Sequence, residues 1–155
     1  NYGPYQFPEK VIPVFTIKAF ANEQLPVYQQ SQNKREWIHV LDHCRALEAI
    51  LTKGRIGQTY NVGTGVELSV EQIADSVLQQ LAKDSSLKQY VADRPSHDRR
   101  YLLNSEKIKR ELGWQPQIDI TSGLQETIEW YKNNEQWWRP LLDKAAINEA
   151  DWKKT

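Results

Sequence analysis

The nine residues Asp93-Arg94-Pro95-Ser96-His97-Asp98-Arg99-Arg100-Tyr101 hold three arginines, two aspartates, a histidine and a tyrosine around one proline. Guanidinium forks at that density make an oxyanion cradle, because each offers paired N–H donors that match phosphate oxygens. Pro95 fixes the local backbone, so that His97 projects in a set direction. The competing reading pairs Arg94, Arg99 and Arg100 with Asp93 and Asp98 on a wet surface, where ion pairs contribute little. On an extended backbone Arg99 and Tyr101 face one way and Arg100 the other, which weakens that second reading for the group. A further cationic pair, Lys34-Arg35, precedes Trp37 at what reads as a strand mouth, a place where ligand phosphates sit; ordinary loop solvation is the alternative. The opening NYGPYQFPEK interleaves Tyr2, Tyr5 and Phe7 with Asn1 and Lys10 across a turn, suited to stacking on a ring or to covering a core edge.

Other chemistries lack their residues. Gly63-Thr64-Gly65 begins like a dinucleotide loop, but Leu68 stands where the third glycine belongs. No tyrosine is followed four residues later by lysine, and no G-x-S-x-G elbow is present. His39 and His43 have helical spacing for zinc, yet a strand-to-helix junction separates them and nothing completes the set, so they read as core or cap histidines.

The elements that must position these groups alternate in period. VIPVFTIKAFA reads as a helix with Pro13 in its first turn. LPVY (25–28) and EWIHV (36–40) read as short strands joined by a loop or hairpin. From Asp42 the pattern turns helical, with Val40, Cys44, Leu47 and Leu51 on the apolar face and Gly54 as stop. TYNVG (59–63) reads as a brief buried strand. Ser69 with Gln72 forms a capping box that opens a helix whose face is Val70, Ile73, Val77 and Leu81. YVAD and RRYLLN flank the charged stretch as strands. Ser105 caps SEKIKREL, which Gly113 ends, Thr121 or Ser122 opens GLQETIEWYKNNEQWW, and Pro140 begins a last helix. Short strands alternating with about five helices define an α/β lobe, with too few strands for a complete doubly wound sheet.

The chain has 155 residues, and its 20 basic and 20 acidic side chains cancel, so any anion site is local and no overall field draws it onto nucleic acid or an anionic membrane. The lone Cys44 cannot form an internal disulfide, and no signal peptide or membrane-length apolar run is present, which sets a cytoplasmic expectation. There is no methionine, and the abrupt opening on NYGPYQFPEK sets the expectation of a piece of a longer protein.

Taken in order, NYGPYQFPEKVIP, LPVY, KREWIHVLDHCRAL, TYNVG, DRPSHDRRY and SEKIKRELGWQP strongly resemble the C-terminal half of dTDP-glucose 4,6-dehydratase, an extended short-chain dehydrogenase/reductase. The similarity runs from Asn1 to about Trp138. NYGP and YNVG recur across many nucleotide-sugar enzymes of that kind, whereas DRP-x-HDRRY followed by KIKRELGW is more specific to the 4,6-dehydratases. CDP-glucose and UDP-N-acetylglucosamine dehydratases share much of the pattern.

The resemblance implies a nucleotide-sugar-binding lobe over residues 1–138, with a helical extension over 139–155. It implies that Asn1, Lys10 and Val11 border the nucleotide, that Pro26, Val27 and Tyr28 contact the base, that Arg35 pairs with the diphosphate, that Ser69 touches the ligand, and that Asp93, Arg94, Pro95, Ser96 and His97 close the site. The family reaction uses NAD, and its glycine-rich loop and Tyr-x-x-x-Lys pair belong to an N-terminal Rossmann half not in this sequence. The expectations are therefore no cofactor held by this chain, no catalytic residue in it, no activity alone, a dTDP-sugar as ligand and a homo-oligomer in solution whose interface includes residues 58–64, because in the family TYNVG and the helix from Asp42 to Thr52 lie against the Rossmann half. Tyr28-Gln29-Gln30-Ser31 replaces a usual Y-G-x-G turn, Ser96 a usual glycine and Ser69 a common asparagine, each a change expected to alter the pocket. The rival expectations are a structural or interaction module that keeps the fold without the ligand, and a nucleic-acid binder using the basic stretch, which the zero net charge disfavours.

Overall fold

The computed structural model describes residues 1–29, 33–92 and 99–145. Within them α1 spans Val11–Phe20, β1 Leu25–Tyr28, β2 Lys34–Glu36, α2 Val40–Lys53, β3 Glu67–Ser69, α3 Val70–Gln80, β4 Lys88–Val91, α4 Glu106–Leu112, α5 Ile120–Asn133, α6 Glu135–Trp138 and α7 Leu142–Ala145. The class is α/β. Two small sheets carry the strands: β1 lies parallel to β4, with Leu25 opposite Lys88 and Tyr28 opposite Val91. β2 runs antiparallel to β3, with Lys34 opposite Ser69 and Glu36 opposite Glu67.

The main core joins one face each of α1, α3 and α5 to β1. Ile12, Phe15, Leu25, Val27, Ile73, Val77, Leu124 and Ile128 are its buried members. Pro13 sits in the first turn of α1, where its missing N–H leaves no bond unmade. The capping box of α3 is complete: the Ser69 hydroxyl accepts from Gln72 N–H at 3.1 Å, and the Gln72 carboxamide accepts from Ser69 N–H at 2.8 Å. Tyr2 is buried and pinned in register, its N–H donating to Ile38 O and its carbonyl accepting from Val40 N–H. The Tyr2 ring stands so close to Gly123 of α5 that any Cβ there would strike its hydroxyl.

Several sequence expectations change. The strand expected over residues 36–40 is displaced to Lys34–Glu36, and no hairpin joins it to β1, since the two strands belong to different sheets. Beyond Glu36 the chain stays extended, but its polar groups find single partners rather than a ladder: Trp37 N–H donates to Val66 O, and the Thr64 hydroxyl donates to Trp37 O. TYNVG forms no strand; Tyr60 instead donates to Glu111 at 3.2 Å while Lys107 lies over its ring. RRYLLN likewise forms no strand and contributes one bridge, Arg100 to Lys34.

On α2 the buried residues are Asp42 and Ala46, whereas Leu47 and Leu51 are 49% and 86% exposed and Cys44 is also exposed. The Asp42 carboxylate accepts from Gln117 N–H at 2.9 Å and Ile118 N–H at 3.0 Å, while its carbonyl accepts from the Trp114 indole at 3.1 Å. These bonds turn α2 so that the small Ala46, one turn on from Asp42, meets Ile108, Leu112 and Trp114.

Caps shift as well. Asp119, not Thr121 or Ser122, caps α5 by accepting from both of their N–H groups. Ser105 occupies the cap position of α4 without a side-chain capping bond, and Asn104 accepts from Glu106 N–H instead. Gly113 ends α4 as expected, in the left-handed region at φ 69°. Pro140 lies in a 3₁₀ turn that leads into α7, and the rest of that expected helix lies outside the described residues.

Candidate functional site

Arg35 is the central strand residue of β2, directly opposite Leu68 of β3. Its guanidinium carbon lies 4.8 Å from the centre of the Tyr101 ring, and Nη1 donates to the Lys34 carbonyl at 2.9 Å. Next to Tyr101, Arg100 reaches across the strand pair and forks onto Glu67 of β3, with Nε donating at 2.7 Å and Nη2 at 2.6 Å. That fork holds the Glu67 carboxyl below its ordinary range. Arg100 thus forks onto a carboxylate, while the Arg35 guanidinium lies over an aromatic face.

The 99–103 segment has little strand pairing of its own, so side chains hold it. Lys34 N–H donates to Arg99 O at 3.0 Å. Glu36 spreads its carboxylate between two segments, accepting from Leu103 N–H at 3.1 Å and from Gly65 N–H at 2.6 Å. Gly63 makes room for it, since a Cβ there would stand 2.5 Å from Glu36 Oε1. This clamp settles the character of the 63–65 loop. A carboxylate already takes the Gly65 N–H, so the loop does not fit the phosphates of a dinucleotide. A cavity of about 350 Å³ opens beside it, lined by Gly63, Gly65, Leu102, Leu103, Ser105 and Lys109 among others. Arg35 is not among its walls.

The two sheets are linked twice at this point. One link runs from Tyr28 to Lys34, the other from Val91 to Arg100, and the link ends are paired at both sheets, Tyr28 with Val91 and Lys34 with Arg100. The residues expected to contact a base lie on β1, and Arg35, expected to pair with the diphosphate, lies on β2. Pro26 and Tyr28 are half-buried on β1, whereas the Val27 side chain is wholly buried in the core, leaving only its main chain for a ligand. Asp93, Arg94, Pro95, Ser96 and His97 lie outside the described residues, as do Gln30 and Ser31.

The remaining expected residues have surroundings within the chain. Asn1 Oδ1 meets His43 Nδ1 at 2.7 Å, and Lys10 pairs with Glu9 at 2.5 Å at the N-cap of α1, with Val11 half-buried beside it. The Ser69 hydroxyl is committed to its capping box and is nearly buried. His39 is an N-cap whose Nδ1 accepts from Leu41 N–H, and no cluster of three or more metal-ligating residues occurs among the described residues. Tyr101, Glu67 and Glu36 escaped the sequence reading as site residues. Alternation around Arg100 was the available signal, since it separates Tyr101 from its neighbour.

The family described as GDP-mannose 4,6 dehydratase matches residues 1–127. The chain is 46% identical over 153 residues to dTDP-glucose 4,6-dehydratase of Streptomyces niveus, covering 97% of this chain and 46% of that protein. Among solved structures, dTDP-glucose 4,6-dehydratase of Bacillus anthracis in complex with NAD superposes with a TM-score of 0.87 at 45% identity, over 91% of this chain and 45% of its own. DesIV, the Streptomyces venezuelae dTDP-glucose 4,6-dehydratase, gives 0.88 at 45% identity, over 91% and 44%. The chain spans a little under half the length of these relatives.

Proposed function

This chain belongs to the GDP-mannose 4,6 dehydratase family, and on that premise we propose that it is the nucleotide-sugar-binding part of an NAD-dependent sugar-nucleotide 4,6-dehydratase, with a dTDP-glucose-like ligand. The observation that carries this reading is Arg35: a guanidinium on a strand, supported on an aromatic face, where two connections run between sheets. Its fork pairs with the diphosphate, Pro26 and Tyr28 with the main chain of Val27 border the base, and Asn1, Lys10, Val11 and Ser69 stand at the edge. Residues 1–138 form this lobe and 139–155 an extension.

NAD, bound in the relatives of known structure, supplies hydride chemistry there. This chain's own 63–65 loop does not fit it, so the cofactor falls to residues outside this sequence, and the chain alone is inactive. No helix among the described residues is long and apolar enough to cross a membrane, and the proposed location is the cytoplasm.

The chain also associates with itself. Leu41, Leu47, Leu51 and Ile56 are 46%, 49%, 86% and 103% exposed, a row of apolar side chains on and just beyond α2 that a second copy covers. Calorimetry with dTDP and an assay for the 4-keto-6-deoxy sugar test the reading together. Binding of dTDP with no product, even with NAD added, is expected; product from the pure chain, or no dTDP binding at all, contradicts it.

A further inference from the structure

We infer that His43 is a positioning residue for Asn1: its ring Nδ1–H donates to the carboxamide oxygen, so that the Asn1 Nδ2 hydrogens are turned toward an acceptor oxygen of the nucleotide. This rests on the reading that Asn1 borders the nucleotide. Asn1 Oδ1 lies 2.7 Å from His43 Nδ1, across 42 positions of chain. Asn1 is exposed and His43 half-buried, and a carboxamide without a partner turns broadly about its last bond. An amide and an imidazole can meet in two ways. Either Nδ1–H donates to Oδ1, or the amide is turned over and Nδ2 donates to a bare Nδ1. The first leaves N–H donors for a ligand, whereas the second leaves an oxygen that repels an anion. The observed contact is the first, and it is the one that a nucleotide's oxygens require.

The ring can set the amide only if both are held. On the Asn1 side, its main-chain oxygen accepts from Gln6 Nε2 at 2.8 Å, and Tyr2 is locked by its N–H on Ile38 O at 3.0 Å and its carbonyl on Val40 N–H at 2.8 Å. Gln6 is tied down in turn, because the buried Tyr131 of α5 donates its hydroxyl to the Gln6 main-chain oxygen. On the other side, His43 stands in the first turn of α2 with its N–H donating to His39 O at 3.1 Å. Its neighbour Asp42 fastens that turn to Gln117 and Ile118. The opening turn and α2 therefore form one frame, in which the Asn1 side chain is the joint that His43 fixes.

The test uses the whole chain: nitrogen NMR of the His43 ring at pH 8, and calorimetry with dTDP and with thymidine on wild type, Asn1→Ala, His43→Ala, His43→Asn and the Asn1→Ala, His43→Ala double mutant. The ring signals should show hydrogen on Nδ1. Affinity for dTDP should fall about three- to ten-fold in Asn1→Ala, the scale of one hydrogen bond, and by no more than that in His43→Ala. The double mutant should bind like Asn1→Ala, since the ring acts only through the amide. His43→Asn places an N–H donor close to where the ring Nδ1 stood and should recover wild-type affinity. A loss for dTDP alone puts the acceptor on the phosphates, and a loss for thymidine as well puts it on the nucleoside. A bare Nδ1, additive losses in the double mutant, or His43→Ala as tight as wild type while Asn1→Ala is weakened, overturns the inference. If Asn1→Ala binds dTDP as wild type does, the placing of Asn1 beside the nucleotide fails and takes this inference with it, whereas the binding itself stands.

Discussion

The carboxylate of Asp42, fully buried in the first turn of α2, accepts the main-chain N–H of Gln117 at 2.9 Å, 75 residues away in sequence. With its second oxygen on Ile118 N–H and Arg45 on the first, it ties α2 to the link between α4 and α5. Asp42→Ala leaves two N–H groups without partners, and the expected loss is about 2–4 kcal/mol. Asp42→Asn should lose less, keeping an oxygen for one of them. Urea unfolding measures both, and a loss below about 0.5 kcal/mol for Asp42→Ala would contradict the role given to this residue.

The same neighbourhood sets a pH dependence. Burial holds His39 below the ordinary histidine range, against the pull of Glu126 and Asp42 and with a smaller lowering by Arg45. Below about pH 6.5 the unfolded chain takes up a proton that the folded chain resists. Stability is therefore full above that pH and falls as acid is added toward the lower folded value. For Asp42, burial pushes the carboxyl up, but the bonds from Arg45, Gln117 and Ile118 outweigh it and hold it low. Its contribution is present above the unfolded value of about 3.9 and is lost as pH falls through the folded one. Stability should decline in two stages, near pH 6 and again below pH 4, and His39→Asn should flatten the first stage while keeping a capping side chain. An unfolding free energy that stays level from pH 7.5 to 5 would refute the first stage.

Gly63 and Glu36 form a coupled pair. A methyl group at position 63 displaces the Glu36 carboxylate from its bonds to Gly65 and Leu103, so Gly63→Ala should cost about 1–3 kcal/mol. In a Glu36→Ala background the same substitution should be nearly neutral. Additive losses in the double mutant would show that the glycine is needed for another reason.

These cases also mark what the sequence could and could not reveal. The helix after Ser69 was legible to its cap, because a capping box and an apolar face at 70, 73, 77 and 81 agree with one another, and Ile73 and Val77 are indeed wholly buried. α2 was legible as a helix, whereas the bonds from Asp42 to distant main-chain donors were not, because no local pattern announces such donors. TYNVG and RRYLLN have strand composition without a partner strand beside them, so they pair singly or not at all. Arg35 stood out by residue type, whereas Tyr101 became part of the site only through a contact across 66 positions of chain.

The outward row on α2 separates association from folding. Leu47→Lys and Leu51→Glu should leave monomer stability within about 0.5 kcal/mol, as expected of exposed positions. Ala46→Leu, directed into the contact with Ile108 and Trp114, should cost about 1–3 kcal/mol by overpacking. Light scattering should show wild type self-associated at micromolar concentration and the Leu47→Lys, Leu51→Glu double mutant dissociated. A wild-type monomer would remove the proposed interface.

The assignment of Arg35 to the diphosphate is tested most directly by dTDP affinity in wild type against Arg35→Ala and Arg35→Lys, at one fixed salt concentration. Loss of the fork should weaken binding by about 1.5–3 kcal/mol, the range of a charge-assisted hydrogen bond. Lysine should recover only part, because a point charge cannot present two parallel donors. Equal affinity in wild type and Arg35→Ala would contradict the account.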